Sequence, residues 1–196
     1  STGRALNVDG LALEKAGIEY SNRGVVVDKR LRTTNKRIFA VGDVVGSFQF
    51  THIAGYHAGI VIRNMLFKMP AKVNYQSLPW VTYTDPELAQ VGLNEEMAQQ
   101  QKIDYKVTRF DAGEIDRYVA ESAMAGFIKV LTDKKGRILG VTVVAEAAGE
   151  LLLPWALAIQ NGFKMGKMAA LIAAYPTRNE LSKRVAGAYF TDSLFS

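Results

Sequence analysis

Four apolar residues, Ile38-Phe39-Ala40-Val41, run straight into Gly42-Asp43, and from Thr51 a helix-like pattern rich in small residues begins. A short apolar run bounded by turn chemistry predicts a buried strand. Strand, Gly-Asp turn and helix in that order build an α/β unit, and such units bind ligands beyond the carboxyl ends of their strands. Gly42 has no Cβ, so a ligand can approach its backbone closely. The Asp43 carboxylate can accept hydrogen bonds from sugar-type hydroxyls. The helix from about Thr51 turns free N–H groups and the positive end of its dipole into the same space. Taken alone, Asp43 is better read as the capping aspartate of an ordinary turn.

The rest of the chain falls into two stretches around a polar segment, Lys68 to Ser77, that contains Pro70. Before it, Leu11 to Ala16 reads as a short helical piece stopped by Gly17, and Val25 to Asp28 as a strand. Ile53, Ala54, His57, Ala58, Val61, Ile62, Met65 and Leu66 recur at helical spacing. After it come strands at Trp80 to Thr84 and Tyr105 to Phe110, and a hairpin of Gly126 to Thr132 with Arg137 to Ala145. Asn94 is placed to cap a helix reaching about Gln101, with Glu95 and Glu96 in the favourable first turn. Helices over about 147–161, 167–173 and 178–189 finish the chain. Strands followed by helices argue for an α+β layer in this second part. The domain boundary is therefore expected near residue 70, giving domains over 1–70 and 71–196.

Several landmarks, in order, resemble the FAD-dependent pyridine nucleotide-disulfide oxidoreductases. Ile-Phe-Ala-Val-Gly-Asp over 38–43 is similar to that family's second flavin fingerprint. Thr2-Gly3-Arg4 with Asn7, and Gly24 to Asp28 with Leu31-Arg32-Thr33, resemble segments that precede it. Thr84-Asp85-Pro86-Glu87 with Val91-Gly92, Ile138-Leu139-Gly140, Ala148-Gly149-Glu150-Leu151 and Tyr175-Pro176-Thr177 resemble the family's dimerisation domain. The resemblance implies an α/β fragment of an FAD-binding domain plus an α+β C-terminal dimerisation (interface) domain. It also implies FAD as cofactor, NAD(P)H as co-substrate and a homodimer formed through the second domain. Gly42, Asp43, Thr51 and His52 would then be the cofactor-binding residues, with Asp43 toward the ribityl chain and the backbone at Thr51 toward the pyrimidine edge of the flavin.

Other parts expected of the family are missing from the sequence. It has no cysteine and no Gly-x-Gly-x-x-Gly, so neither the redox disulfide nor a dinucleotide phosphate loop is present. The chain is accordingly read as the C-terminal portion of a longer flavoprotein, inactive alone. A stand-alone dimerisation or binding module without redox activity is the competing reading.

In family members with a disulfide substrate, a His-Pro-Thr segment and a following glutamate form a base dyad for the partner subunit's site. Here Glu180 is in place but Tyr175 stands where the histidine would be. A phenol, with its ordinary pKa of about 10, is a poor base at neutral pH. Tyrosine there resembles the mercuric reductase and soluble transhydrogenase branch, although the terminal run Asp192 to Ser196 carries no cysteine pair. Tyr175 and Glu180 are the candidate catalytic residues; a packed interface aromatic is the alternative for Tyr175.

Composition narrows the remaining classes. The net charge of +5 comes from cations scattered among acids, which suits a solvated surface better than a nucleic-acid groove. No apolar run is long enough to span a membrane. His52 and His57 are five apart, which is not the i, i+4 spacing of a helical metal pair, and no metal is assigned. Absence of cysteine fits a reducing compartment, and a cytoplasmic location is expected.

Overall fold

The computed structural model describes residues 3–191. Thr2 and the cysteine-free run from Asp192 to Ser196 lie outside the described residues. The chain divides into two compact units, Ser1–Asn74 and Tyr75–Ser196.

The first unit is held by short-range closures. β1 (Tyr20–Ser21) and β2 (Gly24–Val25) pair antiparallel, single turns of 3-10 helix form at Leu13–Ala16 and Gly42–Val45, and α1 spans Thr51–Met65. The stretch expected as a buried strand, Ile38 to Val41, is not one. Phe39 makes an isolated bridge to Arg32, the Ala40 N–H donates to Leu31 O at 3.1 Å, and the Thr33 N–H donates to Ile38 O at 2.9 Å. A run becomes a strand only with a ladder beside it, and among the described residues this run forms a single bridge, to Arg32. Val25 to Asp28 is likewise shorter than expected. Beyond Val25, Asp28 Oδ1 accepts the N–H groups of Arg30 and Arg32, at 2.8 and 3.1 Å, and so bends the chain into a turn. Two small cores result. Ile18, Val25 and Ala40 form one, and Leu31, Ile60 and Ala71 the other. Residues 71–74 are fastened to this unit. The Asn64 amide donates to Ala71 O at 2.8 Å, and the Val73 N–H to Lys29 O at 2.8 Å.

The second unit is built on a five-stranded antiparallel sheet. Its strands are β3 (Pro79–Thr82), β4 (Glu87–Gly92), β5 (Lys106–Asp111), β6 (Phe127–Thr132) and β7 (Ile138–Ala145), ordered β3-β4-β7-β6-β5. Asn94 caps α2 (Glu95–Gln100) as expected, its side chain accepting the Met97 N–H at 2.8 Å. Asp133 Oδ1 closes the β6–β7 turn by accepting the N–H groups of Lys135 and Arg137. The short helix α3 (Asp116–Ala120) follows β5. After β7 come α4 (Leu152–Gln160), α5 (Met165–Ala169) and α6 (Glu180–Thr191). β4 and α3 are additions to the expected elements.

Period-two alternation sends Val141, Val143 and Ala145 of β7 to one sheet face. There α4 covers β3, β4 and β7 while α6 covers β5 and β6. Trp155 of α4 sits at the centre of this core, fully buried, its indole N–H donating to Ser182 Oγ of α6 at 3.0 Å. On the other face Gln90, Thr142 and Lys129 lie side by side across three strands. Thr142 donates to Gln90 Oε1 at 2.6 Å, and Lys129 pairs with Glu95 of α2.

Trp155 joins two helices and fills the middle of the core, so Trp155→Ala is expected to cost about 3–5 kcal/mol. Chemical denaturation of the second unit followed by far-ultraviolet circular dichroism measures this. A loss below about 1 kcal/mol would mean that the helices close over the cavity.

Candidate functional site

Two separate loci hold the residues singled out from the sequence. The first is the turn Gly42–Val45 beside the start of α1. Gly42 has φ +72°, and a Cβ built there would stand 3.1 Å from Ala54 Cβ, so the turn lies directly on the helix. At the other end, a Cβ on Gly46 would fall 1.5 Å from Arg23 O, which presses the turn against the β1–β2 hairpin. Asp43 is thus fixed between helix and hairpin, inside a 3-10 turn rather than at the end of a sheet strand. Its carboxylate stays open to solvent. The nearest cation is Arg4, 3.6 Å away, which also donates to Gln49 O at 2.9 Å.

The residue before α1 is Phe50, whose side chain makes no capping hydrogen bond. The N–H groups of the first turn, at Thr51 and His52, therefore have no side-chain oxygen supplied by the N-cap position. The His52 ring stacks on Phe50, with centroids 5.1 Å apart. The locus accordingly offers one exposed carboxylate, one guanidinium and the positive end of a 15-residue helix. That set suits a ligand with hydroxyl groups and an electron-rich edge.

His57, one of the residues at helical spacing in α1, organises this turn. It is fully buried and its Nδ1 accepts the Gly42 N–H at 3.0 Å. That bond requires the lone pair on Nδ1, so the ring is neutral and carries its proton on Nε2. Burial pushes its pKa below the ordinary value. Its distance from Gly42 in sequence left no signal by which pattern reading could have paired them. Among the described residues no group of three or more histidines, cysteines or acids could hold a metal ion.

The second locus is the segment 175–180 ahead of α6. The Tyr175 side chain is exposed and its hydroxyl donates to Asp116 Oδ2 at 2.9 Å. This bond to a carboxylate raises the phenol's pKa. Glu180 is engaged differently: its Oε2 accepts the Thr177 N–H at 3.2 Å. Thr177-Arg178-Asn179-Glu180 has the spacing of a capping box, in which the acid reaches back to the first residue of the helix start. The structure therefore gives Tyr175 and Glu180 separate partners. Arg178 completes the locus with ion pairs to Glu121 at 2.6 Å and Glu146 at 2.8 Å. Asp116 and Arg178 were missed from sequence because Asp116 reaches Tyr175 from α3, far away in the chain, and Arg178 meets Glu121 and Glu146, which follow α3 and β7.

The fold has counterparts among solved structures. LpdA from Mycobacterium tuberculosis superposes with a TM-score of 0.87 at 26% identity, covering 94% of this chain and 41% of that one. The HOCl-induced flavoprotein disulfide reductase RclA from Escherichia coli gives 0.86 at 27% identity, covering 97% and 44%. Residues 78–186 match the dimerisation domain of the pyridine nucleotide-disulphide oxidoreductases, and residues 1–58 match that family's pyridine nucleotide-disulphide oxidoreductase domain. The chain belongs to this family. A mercuric reductase from Bacillus cereus is 35% identical over 182 residues, which are 92% of this chain and 29% of that protein. A dihydrolipoyl dehydrogenase from Chlamydia trachomatis is 36% identical over 183 residues, 92% and 39% respectively. The chain therefore spans less than half the length of these relatives.

His57 makes the first unit sensitive to acid. The folded protein resists a second proton on this ring, whereas the unfolded chain takes one near 6.5. Stability is thus full above pH 6.5 and falls as pH drops from there through the lower folded value. His57→Phe leaves the Gly42 N–H without its acceptor, at a cost of about 1–3 kcal/mol near neutrality, and removes this part of the pH dependence. Scanning calorimetry of both proteins between about pH 7.5 and 5 compares the slopes across the histidine range. Parallel slopes would show that His57 does not contribute.

Proposed function

We propose that these residues belong to a homodimeric, cytoplasmic flavin enzyme that oxidises NAD(P)H and reduces a disulfide, a metal ion or another acceptor. The observation that carries this reading is Asp43, clamped between α1 and the β1–β2 hairpin, with an open carboxylate beside an uncapped helix start. The residues present fit FAD. The Asp43 carboxylate accepts from ribityl hydroxyls, and the backbone at Thr51 and His52 brings the positive helix end to the pyrimidine edge of the flavin. Bound there, FAD supplies the two-electron carrier, and a helix dipole aimed at its pyrimidine edge favours the reduced, negatively charged form. The Gly42 contact to Ala54 and the His57 bond to the Gly42 N–H hold the carboxylate at a fixed depth.

The second unit supplies the dimer contact in this reading. α4 buries Leu152, Trp155, Ala156 and Ile159 inward, yet Leu153 and Leu157, one turn apart, are 78% and 57% exposed. Ile172 is 99% exposed beside a cleft of about 290 Å³ lined by Pro154, Met168, Leu171 and Ser182. Exposed apolar side chains of this kind suit an association face. Tyr175 lies close by in sequence and, through the dimer, serves the partner's redox site as a proton-holding hydroxyl rather than as a neutral-pH base.

In the full-length protein, Asp43→Ala is expected to lower bound flavin at least about tenfold, the loss of a charge-assisted pair of hydrogen bonds to hydroxyls. Absorbance of the purified protein, with circular dichroism as the control for folding, measures it. A full-length wild type that purifies colourless and takes up no FAD would overturn the reading. The present chain alone, supplied with FAD, NAD(P)H and an acceptor, is expected to show no turnover, because it contains no glycine-rich phosphate loop. Measurable NAD(P)H oxidation by the chain would contradict that.

A further inference from the structure

We propose that Asp116 is the positioning residue of Tyr175, and that α3 is the seat on which this ring is presented. The inference rests on the reading of Tyr175 as a residue of the redox site, and it adds an element that the sequence did not mark.

A side chain as exposed as Tyr175, at 71%, has little packing to choose its direction. Its hydroxyl supplies that choice by donating to Asp116 Oδ2 at 2.9 Å. Asp116 is the first residue of α3, so the hydrogen bond ties the ring to a helix start rather than to a loose loop. Three residues on, a second tie forms. Arg178 Nη2 donates to Glu121 Oε2 at 2.6 Å, and Glu121 is the residue that ends α3. The same nitrogen donates to Glu146 Oε1 at 2.8 Å, and the guanidinium lies over the ring of Tyr118 at 5.7 Å. Tyr118, the middle residue of α3, is fully buried and donates to Glu146 O at 3.2 Å. Both ends of α3 therefore grip the segment 175–178, while its middle is anchored in the core.

Glu180, the acid that family resemblance would pair with position 175, is occupied by the Thr177 N–H. Asp116 takes its place as the carboxylate partner. The consequence for the phenol is definite: an anionic acceptor on its oxygen keeps the proton on Tyr175 and aims the hydroxyl along one line. The charges facing the phenol are Asp116, foremost, and Glu180, and both oppose its ionisation.

The test is a double comparison in this chain and in the full-length protein. Ultraviolet titration of wild type against Tyr175→Phe isolates the ionisation of Tyr175, and the same pair in an Asp116→Asn background isolates the effect of the carboxylate. The Tyr175 titration is expected to move down toward pH 10.0 when Asp116 is neutralised. Superimposable titrations in the two backgrounds would overturn the proposal. Should Asp116→Asn unfold the second unit, Asp116→Ser carries the same comparison, with circular dichroism as the control. In the full-length enzyme the two layers separate. If Tyr175→Phe leaves turnover unchanged, the reading of Tyr175 as a redox-site residue fails, while the titration still decides the role of Asp116. If Tyr175→Phe slows turnover but Asp116→Asn alters neither turnover nor titration, the positioning role fails and the wider reading stands.

Discussion

β7 is the strand on which the second unit depends, because it is hydrogen-bonded along both edges. β4 pairs with it from Glu87–Ala145 to Gly92–Gly140, and β6 pairs with it from Phe127–Val144 to Thr132–Ile138. A strand paired along both edges has most of its backbone groups satisfied by its ladders, so its two faces can be specialised without cost to the sheet. One face drives Val141, Val143 and Ala145 into the core with Trp155. The other carries the Gln90–Thr142 hydrogen bond under the Lys129–Glu95 ion pair. α4 and α6 lie on the apolar face because it offers continuous apolar area to bury. The exposed leucines of α4 then point away from a core that is already complete, which is why they read as an association surface.

The first unit solves the same problem without a sheet of that size. Its backbone groups are closed by turns: Asp28 around Arg30 and Arg32, and Thr33 with Ile38 and Asn35. Each closure is local, so each depends on one or two side chains. The Gly42–Val45 turn shows the principle most plainly. Its position is set on one side by Gly42 against Ala54, on the other by Gly46 against Arg23, and from below by His57. The carboxylate of Asp43 is held out at the surface by three contacts, none of which involves its own charge. The carboxylate itself stays largely exposed and faces Arg4 at 3.6 Å.

Sequence patterns disclosed the helices and strands whose signals are local. The Asn94 cap, the Asp133 turn and the small-residue periodicity of α1 each depend on residues within a few positions of one another, and each appears in the structure. The apolar run Ile38 to Val41 misled because apolar content says that a segment is covered, not by what. It makes one bridge and no ladder. β4 was missed because the turn residues Asp85-Pro86 and Gly92-Leu93-Asn94 frame only a short run that contains Gln90. That glutamine looks like a break in an apolar pattern until its cross-strand partner Thr142, far along the chain, is in place. The same limit hid the site's supporting residues. Gly42 with His57, Tyr175 with Asp116 and Arg178 with Glu121 are each pairs that only tertiary structure brings together.

A tyrosine at position 175, where the family resemblance implies a histidine, differs from it in more than the strength of a base. An imidazole can take and return a proton near neutrality from either ring nitrogen, and a carboxylate behind it raises its affinity for that proton. A phenol with a carboxylate on its oxygen is driven further from ionisation, so the same acidic neighbour that would assist a histidine silences a tyrosine as a base. What such a hydroxyl retains is direction and a donor. It can hold an anionic or metal-bound group by hydrogen bonding, and it can keep a proton in place while charge changes nearby. A phenol held in this way is suited to donating a hydrogen bond to a group rather than to accepting a proton at neutral pH.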